Sequence, residues 1–222
     1  MFDARLLREQ VYLYLRGKIA SGELSPGAPI KLSTLSKELK VSTSPLRDAL
    51  MQLNFEGFVE ITPRKSIVVR KLTYEQIKDL YQVIGALEVS VLYEIFGMLT
   101  DDRIMQMQSL NDEMKKEIAI GNYEKHYHLN RSFHDTYISI SKNKLLHSIV
   151  NPYKERLLDF RKRYYDIEWE LIKCDEHQMM VDCLKNRNVS EAARVIREIH
   201  WNADAQGKYI KRYFLDEVGL NL

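Results

Sequence analysis

The sequence predicts a mainly α-helical protein in two parts: a winged helix-turn-helix over residues 1–72 and an all-helical bundle of about six helices over residues 73–222. Three observations lead to this fold class. Apolar residues recur at helical spacing along most of the chain. Two short segments rich in β-branched residues flank the turn at residues 62–66. Only one proline, Pro152, follows Pro63, so few breaks interrupt the second part.

The first part reads as three helices and a hairpin. An amphipathic helix over about residues 6–21 ends at Gly22, and a second helix carries an apolar stripe at residues 32, 35 and 39. The third helix is predicted to have Ser44 as its N-cap and Pro45 at its first position, and to end at Gly57. Strands at 58–61 and 67–69 then form a wing. This arrangement fits the major groove of DNA.

The second part is predicted to be helical throughout. Thr73 and Gln76 have the spacing of a capping box, which marks the start of its first helix. The predicted helices cover about residues 74–98, 101–120, 122–141, 144–165, 168–186 and 190–215.

Charge is divided unequally between the two parts. Residues 1–72 contain 12 Lys and Arg against 7 Asp and Glu, a net charge of +5, whereas the remainder carries −3. A basic head and a mildly acidic body are typical of a DNA-binding unit joined to a sensing unit. A charge of +5 is also ordinary for a small domain, so this indication is weak by itself.

The composition favours a cytoplasmic protein. Cys174 and Cys183 show no disulfide pattern, which favours a reduced compartment. No apolar run approaches the roughly 20 residues of a membrane helix. The first ten residues include acids and lack the apolar segment of a signal peptide. We therefore expect no membrane partner.

The head resembles the GntR family of bacterial transcriptional regulators, and the body resembles its FadR-type (FCD) ligand-sensing domain. The family pattern V-S-R-x-P-V-R-E-A-L, followed by L-x-x-E-G-L-V, is matched over residues 41–59. The matching positions are Val41, Ser42, Pro45, Leu46, Arg47, Asp48, Ala49, Leu50, Leu53, Glu56, Gly57, Phe58 and Val59. The body pattern of aspartate and histidines is matched more loosely.

Candidate DNA contacts lie on the third helix and the wing. Arg47 is expected to contact a base or a phosphate, with an intramolecular ion pair as the alternative. Thr43 and Ser44 could bind a phosphate through hydroxyl and backbone N–H groups, and Arg64 and Lys65 are expected at the backbone or minor groove. Family members usually carry Arg at positions 43 and 33 and Gly at position 65. The operator should therefore differ from the usual one.

Candidate metal ligands are spread over three predicted helices. Asn130 and His134, four residues apart, share one helical face, and His177 and His200 lie on the fifth and sixth body helices. Spacing alone leaves open that these histidines are structural or exposed. The resemblance implies that they bind a divalent transition metal, with zinc and nickel as first candidates, then iron and manganese.

Asn130 stands where the family usually has aspartate, so its uncharged amide should bind a metal more weakly. His126, one turn earlier, could compensate, although an exposed histidine beside Lys125 is the simpler interpretation. Cys174 is another conceivable ligand.

The effector pocket also departs from the family. Ile84 occupies a position where many members carry an arginine that holds an effector carboxylate, whereas Glu88 is retained. Arg156 on the fourth body helix could supply a replacement charge.

These features predict a homodimeric DNA-binding regulator that is not an enzyme. A small effector, an organic acid or related metabolite, would bind in the bundle beside the metal and alter operator affinity. One alternative is a DNA-binding protein whose bundle only dimerises because its sensor has decayed. Another is a metal-dependent hydrolase, for which Glu88 is the only evident general base.

Overall fold

The computed structural model describes residues 4–163 and 165–218 of the chain. The chain divides into two compact units that meet between Leu72 and Thr73. Within the described residues the fold is helical apart from one two-stranded sheet, so the predicted fold class is confirmed.

The first unit contains a winged helix-turn-helix. Its elements are α1 (Ala4–Ala20), α2 (Leu32–Leu39), α3 (Thr43–Phe55), β1 (Val59–Thr62) and β2 (Ser66–Val69). The two strands are antiparallel, and Val59 pairs with Val69. Buried apolar residues of α1 and α3 form the core together with the paired valines at one end of the sheet: Val11, Leu15, Ile19, Leu46, Ala49, Leu50, Leu53, Val59 and Val69. Because one face of α3 is buried in this core, its opposite face and the tip of the wing are exposed to solvent.

The segment before α2 adds a short edge to the sheet. Gly27 N–H donates to Val69 O at 2.8 Å, and Ile30 N–H donates to Ile67 O at 2.8 Å. Val69 N–H in turn donates to Ala28 O at 3.0 Å. Backbone hydrogen bonds therefore connect the wing to the segment before α2 within the first unit.

The N-terminus of α3 lies two residues earlier than predicted. Ser42 is the N-cap and Thr43 the first helical residue, so Ser44 is not the cap. Pro45 falls at the third helical position. This costs no hydrogen bond, because the first N–H groups of a helix have no intrahelical acceptor. Gly57, at φ +81°, ends the helix as predicted.

The second unit is a helical bundle. Its elements are α4 (Tyr74–Ile95), a 3₁₀ turn (Phe96–Met98), α5 (Asp101–Ala119), α6 (Tyr123–Ile138), α7 (Lys144–Arg163), α8 (Ile167–Lys185), α9 (Val189–Arg194), a π-helical segment (Val195–His200) and α10 (Gly207–Val218). The predicted capping box is present, because Thr73 Oγ1 accepts from Gln76 N–H and Gln76 Oε1 accepts from Thr73 N–H.

The predicted sixth body helix, 190–215, is not continuous, and this prediction was wrong. After the π-helical segment the chain turns at residues 201–206 before α10 begins. Asn202 explains the break, since its Oδ1 accepts from the N–H groups of Asp204 and Ala205 at 2.9 and 3.1 Å. A side chain that satisfies nearby backbone donors in this way competes with helix formation.

Helix α4 and the following 3₁₀ turn, Tyr74–Met98, form one stretch long and apolar enough to cross a membrane by length and composition alone. No such stretch was expected from the sequence. In the bundle this helix is packed on one side, with Ile77, Leu80, Ile84, Val91 and Ile95 buried. Its apolar character is that of a core helix.

Candidate metal centre and nucleic-acid interface

Three buried histidines meet inside the bundle. His134 comes from α6, His177 from α8 and His200 from the end of the π-helical segment. One ring nitrogen from each lies within 4.8 Å of the others. All three side chains are buried, at 2–4% exposure. The structure therefore brings together the three histidines that were predicted as ligands.

The spacing of two of these nitrogens matches a metal site. His134 Nε2 and His177 Nε2 are 3.3 Å apart. Two nitrogens bound at about 2.0–2.1 Å to a tetrahedral zinc ion lie roughly 3.3–3.4 Å apart. The stacked Phe133 ring, with its centroid 4.0 Å from that of His177, supports the second imidazole. The donor set thus fits a divalent transition metal.

The Glu88 carboxylate contacts the Nδ1 side of the His134 ring, opposite the nitrogen that faces His177. Its Oε2 lies 3.3 Å from His134 Nδ1 and accepts from Tyr137 Oη at 2.6 Å and from Trp201 Nε1 at 2.7 Å. Its Oε1 forms an ion pair with Lys154 Nζ at 3.0 Å. A carboxylate behind a histidine fixes the ring and leaves the opposite nitrogen to a metal.

The electrostatics of this group favour a neutral imidazole. Burial by itself raises the pKa of Glu88, but Lys154 and His134 outweigh it and hold that pKa well below its ordinary value. Burial, and then the Lys154 charge, lowers the pKa of His134. Burial and the Glu88 charge raise the pKa of Tyr137 well above its ordinary value. An uncharged histidine is the form that binds metals.

Glu176 supports His200 in the same manner, and no sequence pattern predicted this role. Glu176 Oε2 lies 2.8 Å from His200 Nδ1, and Oε1 accepts from Gln206 Nε2 at 2.7 Å. Lys173 Nζ lies 3.0 Å from Glu176 Oε2 and donates to the backbone oxygen of His200 at 2.7 Å. Its place next to His177 in the sequence was the only local signal for Glu176.

The predicted effector residues occupy different environments. Ile84 is fully buried on α4, one turn before Glu88. Lys154 Nζ on α7 pairs with Glu88 Oε1 at 3.0 Å, and the predicted Arg156 is half-buried on the same helix. Residues two apart on a helix point to nearly opposite sides, so only one of the two can face α4.

Of the remaining candidate ligands, Asn130 lies on the same helix as His134, whereas His126 and Cys174 lie outside the histidine cluster. Asn130 is buried at 4% exposure, one turn before His134. His126 is fully buried rather than exposed, and its Nε2 lies 3.7 Å from Glu170 Oε2. The backbone oxygen of Cys174 accepts from Asn111 Nδ2 at 2.9 Å. Neither His126 nor Cys174 joins the cluster formed within the described residues.

The candidate DNA contacts all lie on the surface of the first unit. Thr43 and Ser44 are exposed in the first turn of α3, where backbone N–H groups are free for a phosphate. Arg47 is exposed one turn later and forms no salt bridge with any residue in the described part of the chain. Arg64 and Lys65 are exposed at the tip of the wing, where Arg64 has φ +60°.

Comparison with known families gives two matches. Residues 7–69 match the bacterial regulatory proteins of the gntR family, and residues 79–200 match the FCD domain. The second match alone covers more than half of the chain.

Individual relatives span most of the chain. The Nta operon transcriptional regulator of Aminobacter aminovorans is 30% identical over 173 residues, covering 77% of this chain and 80% of its own length. The gluconate operon transcriptional repressor of Bacillus subtilis is 25% identical and covers 86% and 79%, respectively. The solved structure of Escherichia coli McbR/YncC superimposes with a TM-score of 0.73 at 19% identity, covering 96% of this chain and 100% of that one. At that identity the last comparison concerns the fold.

Proposed function

The chain belongs to the GntR family of bacterial regulatory proteins and carries an FCD domain, and we propose that a metal centre in this domain couples a small effector to operator binding. It is a DNA-binding transcriptional regulator with a C-terminal effector-binding domain, and it is not an enzyme. In this proposal residues 1–72 bind DNA, and residues 73–222 bind the effector and form the dimer.

The metal proposal rests on one observation. Three buried imidazoles lie close together, and a carboxylate contacts the Nδ1 atom of two of them. His134 rests on Glu88 and His200 on Glu176, so both rings present Nε2 to a common point. Three neutral nitrogen ligands would leave at least one coordination position for a small ligand. Asn130 would bring an amide oxygen to the same face of α6. A divalent ion there acts as a Lewis acid toward oxygen ligands.

The carboxylates at the centre also argue for binding rather than hydrolysis. Glu88 already accepts two hydrogen bonds and faces Lys154, and Glu176 is engaged by His200, Lys173 and Gln206. A carboxylate general base works best with a raised pKa, whereas the pKa of Glu88 is held well below its ordinary value by Lys154 and His134. Both carboxylates serve as supports, as expected for a sensor.

The DNA-binding mode follows from the winged unit. We propose that two copies of the chain present two α3 helices to the half-sites of a near-palindromic operator. Arg47 reads a base or contacts a phosphate, while Thr43 and Ser44 bind the backbone. Arg64 and Lys65 at the wing tip reach the backbone or the minor groove. Effector binding shifts operator affinity by the difference in its affinity for the two arrangements of the heads.

The metal content of the purified protein tests the proposal. Elemental mass spectrometry of tag-free protein, prepared without chelators, should give near-stoichiometric zinc, nickel, iron or manganese. His134→Ala should lose the metal, because it removes a ligand and the ring that Glu88 orients. His128→Ala is the matched control, since His128 lies exposed on the same helix. It should keep the metal.

Absence of metal after incubation with each ion would overturn the metal centre. The bundle would then serve for dimerisation or for a less polar ligand. Equal metal loss from His128→Ala and His134→Ala would show that the metal is bound elsewhere.

A further inference from the structure

Helix α3, the recognition helix of the winged unit, exposes two large apolar side chains to solvent. Met51 is 65% exposed and Phe55 is 88% exposed. The opposite face of the helix supplies the core of the unit with four buried residues: Leu46, Ala49, Leu50 and Leu53. The exposed face also carries the polar residues Thr43, Ser44, Arg47 and Asp48. Met51 and Phe55 therefore lie among the proposed DNA contacts and outside the core.

Met51 lies on the same side of α3 as Arg47. An α-helix turns by about 100° per residue, so Met51, one turn after Arg47, is rotated from it by only about 40°. The helix from Thr43 to Met51 is about 12 Å long at 1.5 Å per residue, which is about the width of the major groove. Phe55, at the end of the helix, lies about 18 Å from Thr43 and therefore outside this width. Of the two apolar side chains, Met51 is the one within reach of the bases.

An apolar side chain in the major groove has one favourable target. The base pairs present hydrogen-bond donors and acceptors there, and the apolar group that projects into the groove is the 5-methyl group of thymine. The Met51 thioether has no donor and is only a weak acceptor, so it cannot replace the water that it would remove from a polar base edge. Against a methyl group its flexible, polarisable chain loses no hydrogen bond and gains van der Waals contact.

We propose that Met51 contacts the 5-methyl group of one thymine in each operator half-site, beside the contact made by Arg47. The operator should therefore contain a T·A pair next to the position that Arg47 contacts. The methyl group of this pair, rather than a hydrogen-bonding group, determines the preference. This inference rests on the proposed DNA-binding mode of α3.

Deoxyuridine tests the contact, because it differs from thymidine only by the absence of the 5-methyl group. The full-length protein first selects its operator from random DNA. Each thymine is then replaced by deoxyuridine, one position at a time in both half-sites, and operator affinity is measured by fluorescence anisotropy at constant salt. At one position the replacement should weaken binding by about 15-fold, which is about 4-fold for each methyl group that the protein covers.

Three variants assign this loss to a side chain. Met51→Ala should bind the thymine and deoxyuridine operators within about 2-fold of each other, because its short side chain does not reach the methyl group. Met51→Leu keeps an apolar chain of similar volume and should retain a loss of about 5-fold or more. Phe55→Ala is the matched control, since it also removes an exposed apolar side chain of α3, and it should retain the full loss. Circular dichroism checks that each variant is folded.

The outcomes distinguish this contact from the DNA-binding mode on which it rests. A selected operator without a deoxyuridine-sensitive position, or a loss that persists at full size in Met51→Ala, would overturn the contact. Weaker binding by Met51→Ala with the deoxyuridine loss intact would instead place Met51 against a protein surface, such as the head of the second copy. An effect abolished equally by Phe55→Ala would also overturn the proposal.

Arg47→Ala separates the two levels. If it weakens operator binding while no deoxyuridine position matters, the Met51 contact alone is overturned. If it leaves operator affinity unchanged, the proposed DNA-binding mode of α3 is overturned together with this contact.

Discussion

Substitution of Gly85 by alanine should destabilise the second unit, because α4 and Trp201 meet there without room for a side chain. A Cβ at position 85 would lie 2.8 Å from Trp201 Cβ and 3.7 Å from the Trp201 backbone oxygen. Trp201 directly follows His200, and its Nε1 donates to Glu88 at 2.7 Å. The backbone at Trp201 must therefore move away from α4, which weakens the packing of the π-helical segment against α4.

The size of the effect can be worked from three contributions. Overpacking a core costs about 1–3 kcal/mol. Weakening a hydrogen bond to a charged group costs up to about 1.5–3 kcal/mol. The higher helix propensity of alanine returns about 1 kcal/mol. We expect a net loss of about 2–4 kcal/mol, which corresponds to a fall in Tm of about 6–12 °C for a unit of this size.

Thermal unfolding followed by circular dichroism measures this loss, and tryptophan fluorescence reports on the surroundings of Trp201. Gly97→Ala is the control, because Gly97 is exposed and no atom of a neighbouring residue lies within 4 Å of where an alanine Cβ would stand. It should leave Tm within about 2 °C of the original value. A Gly85→Ala protein as stable as Gly97→Ala would refute the reasoning, since Trp201 would then be free to move.

Three further predictions concern DNA binding, helix capping and the metal. Arg47→Ala should weaken binding to an operator selected from random DNA by about 5- to 100-fold while the bundle stays folded. A bidentate base contact contributes about 1–3 kcal/mol. Fluorescence anisotropy measures the operator affinity. Thr73→Ala should cost about 1 kcal/mol through loss of the capping box, measured by urea unfolding. Glu176→Gln should lower metal affinity about 10- to 100-fold, because His200 loses the carboxylate that orients it; competition with a chelating dye measures this.

Each of these has a result that would contradict it. Unchanged operator affinity would remove Arg47 from the DNA contacts, with Lys78→Ala on α4 as a charge-matched control. An unaltered urea midpoint for Thr73→Ala would mean that water satisfies the Gln76 N–H group as well as the Thr73 side chain does. Metal affinity that is equal in Glu176→Gln and the original protein would show that Gln206 and Lys173 hold His200 without the carboxylate.

Local sequence signals determined most of the first unit. The spacing of Leu32, Leu35 and Leu39, the glycine at 57 and the alternation around the wing each act over one or two turns of chain, so they can be recognised without tertiary information. The capping box at Thr73 is equally local. The resemblance then linked His134, His177 and His200, which no spacing rule connects.

Only the tertiary structure decided how the metal centre is supported. The residues that orient the histidines lie far from them in the sequence. Glu176 and His200 are 24 positions apart, and Trp201 and Glu88 are 113 positions apart. Lys154 likewise contacts Glu88 from another helix. The break after His200 likewise depends on Asn202 competing with the helix and on Lys173 holding the His200 backbone oxygen. Helical periodicity identifies which face of a helix is buried, but packing determines which buried polar groups meet, and that is why the sequence indicated the three histidines and not the groups that orient them.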